Sequence, residues 1–232
     1  MDADHDPLDR VPMDLRTALR TTGAVRSFED RPVADEVIAS ILDDARFAPS
    51  GGNRQGWRIA VVRDPALRTV AAAHLQSVWD EYAAIRAVGA TPFSTVDPGV
   101  DLPDGPFAVA ANPLVESIQD IPVVLMVAVD LALVSAMDAE LDRVGVTAGA
   151  SVYPFCWSVL LSARAHGLGG VLTTFLSRAE PAVAEAFGLP PTWALCGTIF
   201  LGHPVHQPTR LSRRPVEAFT TLDRFDGPTF QP

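Results

Sequence analysis

The spacing of apolar and polar positions divides the chain into helical and extended stretches. Leu15, Ala18 and Leu19 fall at helical spacing within residues 13–22, and Gly23 is placed to end that helix. Val37, Ile41, Ala45 and Ala48 recur every three to four residues, with Leu42 widening the stripe. They predict a second helix that opens at Pro32–Asp35 and stops at Pro49. Trp57 to Val62 reads as a strand and residues 65–88 as a further helix. Ile121 to Val129 is apolar on both faces and rich in β-branched residues, the pattern of a central strand. A long helix is expected from Leu141 or Thr147 to His166, and its part from Ala148 onward spans roughly 28 Å at 1.5 Å per residue. That stretch is apolar almost all round, which suits a central helix or half of a subunit interface. Val171 to Thr174 reads as an edge strand, Glu180 to Phe187 as a short helix capped by Ser177, and Cys196 to Leu201 as a buried strand.

Residues 89–122 interrupt this regularity with six prolines and three glycines. A stretch of that length and composition is either a cover over a functional site or a loose insertion; a substrate cover is the expectation, with one helical turn at Phe107 to Ala111. Residues 1–12 read as a loose acidic tail and residues 13–232 as a single domain.

The 232 residues carry a net charge of −10, which argues against a broad electrostatic grip on nucleic acid. No lysine occurs, so all 18 basic residues are arginine. Every fixed cation is thus a planar guanidinium suited to phosphate or carboxylate, and lysine Schiff-base chemistry is excluded. The two cysteines, Cys156 and Cys196, sit in apolar surroundings and read as buried thiols. The longest apolar run stops at Asp130, about half of what a membrane span needs. No secretory signal is visible, so a cytoplasmic protein is expected. The five histidines form no metal-binding spacing, and no metal is expected.

The segment with most chemical content is Ala48 to Trp57, APSGGNRQGW. Gly51 and Gly52 allow close backbone approach to a ligand. Ser50, Asn53 and Gln55 offer uncharged donors and acceptors, which suit a flat heteroaromatic ring with carbonyls and ring nitrogens.

This string resembles the first signature of the FMN-dependent nitroreductase family, P-S-x-x-N-x-Q-P-W. Three more segments agree in order and spacing. TTGAVRSFEDRPV at 21–33 resembles the family block R-R-S-V-R-x-F-x-x-x-P-V. ARAHGLGGVLTT at 163–174 resembles A-R-x-x-G-L-G-x-x-x-T-T, and RRPVEAF at 213–219 resembles R-K-P-L-E-E-V.

The resemblance implies an α+β fold with a central mixed or antiparallel sheet flanked by helices. It implies a homodimer holding FMN at its interface. By the same resemblance Arg26 lies near the flavin pyrimidine, where a cation favours the reduced, negatively charged ring. Ser50, Gly51, Asn53 and Gln55 border the ring or its ribityl chain. Thr173 and Thr174 present backbone N–H groups to the reactive ring edge. Arg213 grips the phosphate, with Arg210 as a second donor. Thr22, Gly23 and Ala24 stand where the family has Arg, Arg or His, and Ser. Arg20 is the expected substitute cation, with Thr21 or Thr22 donating a hydroxyl. Gly56 replaces a proline and is expected to loosen the loop.

The implied activity is hydride transfer from NADPH or NADH through FMN to a small oxidised acceptor of nitroaromatic or quinone type. A flavin-sequestering protein without turnover, FMN-dependent dehalogenation or fragmentation, and a deazaflavin in place of FMN remain alternatives.

Overall fold

A computed structural model of the chain describes residues 13–231, so the expected acidic tail lies outside the described residues. Four strands form one sheet: β1 (Trp57–Val61), β2 (Val123–Asp130), β3 (Gly169–Thr173) and β4 (Trp193–Gly202). Their spatial order is β1-β2-β4-β3, and every pairing is antiparallel. Of the two sheet types expected, the antiparallel one is found.

β2 is central because both of its faces are apolar. Val123, Leu125, Val127 and Val129 project to one side, and Val124 and Met126 to the other. The first side is covered by α2 (Asp35–Ala45) and α5 (Tyr153–Ala165), the second by α3 (Pro65–Ala87), α4 (Pro113–Glu116), α6 (Phe175–Arg178) and α7 (Glu180–Phe187). α2 buries Val37, Ile38, Ile41 and Ala45, as its stripe predicts. Fully burying a side chain such as Ile41 contributes about 1.5–3 kcal/mol. The first helix, α1 (Leu15–Thr21), buries none of its residues, and Leu15 and Leu19 are 70% and 48% exposed.

Three local expectations are corrected. The long helix begins at Tyr153, not at 141 or 147; residues 147–151 form a 3-10 turn instead. Pro154 explains the break, since its missing N–H is tolerated only in a first turn. Phe107 to Ala111 is not helical. The turn lies at Pro113–Glu116, where the Asn112 side chain accepts from the Leu114 N–H at 3.1 Å. Ser177 does not cap α7; its hydroxyl donates to the Leu195 carbonyl at 2.7 Å, binding α6 to β4.

The proline-rich segment is also divided. Leu114, Ile118 and Ile121 are core residues, so the part that lies largely outside the core is 89–112. Buried Arg68 holds the returning chain by donating to the carbonyls of Ile118, Gln119 and Ile121 at 2.8–3.1 Å.

Candidate functional site: a guanidinium pocket and a polar loop

α1 ends with Arg20 in its last turn, a placement that the helix dipole favours. Gly23 follows, and its lack of a side chain is required: a Cβ there would lie 2.7 Å from Leu211 Cδ2 and 3.1 Å from Pro208 Cβ. The Gln207 amide donates to the Thr21 carbonyl at 3.2 Å. Together these contacts bring the C-terminal segment against the end of α1. Arg20, Arg210 and Arg213 thereby line one pocket of about 500 Å³, with Leu19, Thr209 and Leu211. Three guanidiniums around one opening repel one another unless an anion lies between them.

The hydroxyls expected to support them are engaged elsewhere. Thr21 Oγ1 donates to the Thr17 carbonyl at 2.8 Å and Thr22 Oγ1 to the Ala18 carbonyl at 2.7 Å. The end of α1 that faces this region carries carbonyls, so an anion here depends on the arginines.

From Gly23 the chain runs extended along the sheet margin. Val25 N–H donates to the Gly170 carbonyl at 2.9 Å, and Ala24 bridges Gly170. Arg26 then lines a second pocket of about 300 Å³ with Ser27, Phe28, Glu116, Ser117 and Asp120. Arg26 is thus not in the Arg20–Arg210–Arg213 pocket but in the extended segment that follows α1 and Gly23.

β3 carries Thr173 away from Gly170. Thr173 is 8% exposed, and its hydroxyl is a buried polar atom without a hydrogen-bond partner. Sequence reasoning passed over Gly197, which sets this position. A Cβ at Gly197 would lie 2.8 Å from the Thr173 carbonyl oxygen and 2.9 Å from Leu172. The β2–β4 register also shifts beside it, pairing Val127 with Gly197 and Ala128 with Leu195. A glycine between Cys196 and Thr198 was the available signal, since glycine inside a strand marks a bulge or close approach. Thr174 ends the strand and precedes α6.

Loop 50–55 is tightly wound. Gly52, Asn53 and Gln55 all have positive φ, at 61°, 53° and 50°. Ser50 Oγ accepts from the Gln55 N–H at 3.0 Å, and Gln55 Nε2 donates to Asn53 Oδ1 at 3.1 Å. Gly51 N–H donates to Ser151 Oγ, and Arg54 donates to Ser135 Oγ. Gly56 does not loosen the loop. Its Cβ position is 3.1 Å from Leu133 Cβ, and its carbonyl accepts from Asp130 N–H at 2.9 Å.

The expected site residues therefore fall in two places. Arg20, Gly23, Arg26, Thr173, Thr174, Arg210 and Arg213 lie on the β3 side of the sheet, while Ser50, Gly51, Asn53 and Gln55 lead into β1, the opposite edge. Three inter-strand steps separate those edges by roughly 14 Å.

Cys156 and Cys196 are buried and their thiols are pushed up to about 12, chiefly by desolvation, so neither is a thiolate at neutral pH. Among the described residues no group of three or more His, Cys, Asp or Glu side chains could hold a metal ion, and no helix is long and apolar enough to cross a membrane.

A sequence profile described as the Nitroreductase family matches residues 19–203. An NADH dehydrogenase of Thermus thermophilus is 28% identical over 214 residues, 88% of this chain and 94% of the relative. A 5,6-dimethylbenzimidazole synthase of Rhodospirillum rubrum is 29% identical over 204 residues, 82% of this chain and 86% of the relative. Among solved structures, a Desulfovibrio desulfuricans protein in complex with FMN superposes with a TM-score of 0.65 at 22% identity, covering 93% of this chain and 99% of the other. The NADPH:FMN oxidoreductase of Vibrio harveyi, complexed with NAD+, gives 0.63 at 18% identity, covering 90% and 76%. These structures share the fold of the four-stranded sheet and its two helical layers. With most of its length matched by the family profile, the chain belongs to the nitroreductase family.

Proposed function

We propose that this protein is an FMN-dependent oxidoreductase that passes hydride from NADH or NADPH to a small oxidised acceptor of nitroaromatic or quinone type. The observation that carries the reading is the convergence of Arg20, Arg210 and Arg213, from segments about 190 residues apart, on one pocket. Such a trio fits the phosphate of FMN through charge-assisted hydrogen bonds. The orphan Thr173 hydroxyl supplies a second point of fit, because a buried polar atom without a partner is costly unless a ligand meets it. Bound there, the flavin would supply hydride acceptance and release at its N5 edge.

The chain's own residues orient, enclose and polarise. Arg213 and Arg210 hold the tail, with Arg20 replacing the arginine absent from positions 22–24. Arg26 presents positive charge towards the ring's pyrimidine end. Thr173 and Thr174 bring backbone N–H groups to the reactive edge. Ser50, Gly51, Asn53 and Gln55 would be contributed by a second copy, since within one protomer they belong to the opposite sheet edge. The exposed Leu15, Leu19, Tyr153 and Trp157 favour such a homodimer by offering apolar surface around α1 and α5.

Residues 89–112 would act as the substrate cover. Phe93 lies near Tyr82 and under the Arg178 guanidinium, and Trp79 Nε1 donates to the Ala111 carbonyl at 2.9 Å. The segment thus packs against α6, directly after Thr174.

The test is anaerobic. Purified protein should bind FMN, show flavin absorbance and bleach on addition of NADH or NADPH. Electrons should then pass to nitroaromatic or quinone acceptors, and the protein should elute at twice its 24.8 kDa mass. Flavin that binds but is inert to both nicotinamides would replace this reading with sequestration. A second reading is favoured by the near-equal similarity to the dimethylbenzimidazole synthase. Loss of intact flavin during turnover would select such fragmentation chemistry instead.

A further inference from the structure

Arg26 and Glu116 line the same pocket and carry opposite charges, yet they are not paired. Among the described residues, neither side chain makes an ion pair or a hydrogen bond, with each other or with anything else. Asp120 in the same wall differs in that its charge also acts on the buried Arg68. Glu116 is thus a carboxylate in the wall of the Arg26 pocket with no ion pair or hydrogen bond among the described residues. α4 places it there: Asn112 caps the helix, Leu114 anchors it in the core, and Glu116 ends it exposed at the pocket.

We propose that Glu116 opposes Arg26 electrostatically and thereby sets the reduction potential of the bound flavin. The inference rests on the flavin reading above and on Arg26 facing the pyrimidine end of the ring. A lone guanidinium there favours the reduced, negatively charged ring. A carboxylate across the same pocket opposes that preference and favours the oxidised, neutral ring. Both charges are solvated in the open pocket, but a planar ring that excludes water would strengthen the influence of each. Glu116 is thus a tuning residue that acts through charge; it is assigned no proton transfer.

The experiment measures the midpoint potential of bound FMN by anaerobic dye equilibration, together with the dissociation constant of oxidised FMN. Glu116→Gln keeps the shape and removes the charge. It should favour reduced over oxidised flavin by about tenfold, equivalent to ~30 mV upward for a two-electron couple. Arg26→Gln should move the potential downward. Asp120→Asn should shift it less than Glu116→Gln, because the charge of Asp120 also acts on Arg68. A merely structural role for Glu116 would alter thermal stability and leave the potential in place. If wild-type protein takes up no FMN, the flavin reading fails and this inference fails with it. If wild-type FMN binds and Glu116→Gln leaves its potential unchanged or lowers it, this inference alone is overturned.

Discussion

The Gly51 backbone N–H donates to the Ser151 hydroxyl at 3.1 Å, across one hundred residues of sequence. This bond ties the polar loop to the turn that opens α5, and Trp57 stacking on Phe155 at 4.9 Å extends the attachment. Ser151 is buried, so its loss should be felt locally. Ser151→Ala should weaken the loop by about 0.5–1.5 kcal/mol. Amide hydrogen exchange at Gly51 should speed up accordingly, and an unchanged rate would show that the loop holds itself.

Acid should loosen the neighbouring turn. Asp138 is buried and accepts from the Thr147 hydroxyl, the Val146 and Thr147 N–H groups and Arg143. The Thr147 hydroxyl, the Val146 N–H and Arg143 are the leading causes that hold its carboxyl well below the ordinary 3.8. A folded-state value below the unfolded one means the stabilisation is present above pH 3.8 and is lost progressively as pH falls below it. Thermal melts from about pH 6 down to about pH 2 should show the wild-type advantage over Asp138→Asn narrowing with acid. Parallel curves through that window would contradict the assignment.

Arg213→Gln should reduce FMN affinity by about 10- to 100-fold, corresponding to roughly 1.5–3 kcal/mol for a hydrogen bond to a charged group. Riboflavin, which lacks the phosphate, should bind both proteins alike. Titration by quenching of flavin fluorescence separates the two ligands. An equal loss for riboflavin would move Arg213 away from the phosphate.

At Gly23 the effect expected is on stability. The added methyl of Gly23→Ala would meet Leu211 Cδ2 at 2.7 Å. Overpacking of this kind costs about 1–3 kcal/mol. A compensating Leu211→Ala should restore part of the melting temperature, whereas a neutral Gly23→Ala would indicate that the 207–213 segment yields freely.

Asp80 anchors the return of the proposed cover. Its buried carboxylate accepts from the Ala110 N–H at 2.8 Å and from the Gln76 amide at 2.6 Å. Asp80→Ala leaves the Ala110 donor without this partner, at about 1–3 kcal/mol. Limited proteolysis should then cut first within residues 89–112, with the sheet intact. Cleavage elsewhere, or none, would separate Asp80 from control of this segment.

The elements legible in the chain are those whose periodicity coincides with burial. The α2 stripe and the two-faced apolar run of β2 are each local signals, and each appears at its expected place. Boundaries governed by one residue's backbone chemistry were less legible. Pro154 shortens α5, and Asn112 rather than the 107–111 stretch starts the short turn. Ser177 resembles a cap in sequence, but a carbonyl on β4 offers its hydroxyl a closer partner.

The candidate site divides in the same way. The resemblance of four segments to the family's motifs picked out Arg20, Arg26, Arg213 and Thr173–Thr174 as candidate site residues, and the polar loop stood out by its own residue types and glycines, because both kinds of signal are written along the chain. Which of them share a pocket was settled by tertiary packing. Gly23 against Leu211 draws Arg20 to Arg210 and Arg213, and sheet order sets loop 50–55 on the opposite edge from Thr173. The placement of Glu116 in the wall of the Arg26 pocket likewise comes from packing, as Leu114 enters the core and Arg68 gathers the carbonyls that follow α4. Periodicity reports which face of an element seeks the core. Only the closed, packed chain decides which distant charges meet, because that depends on contacts between segments that carry no local trace of one another.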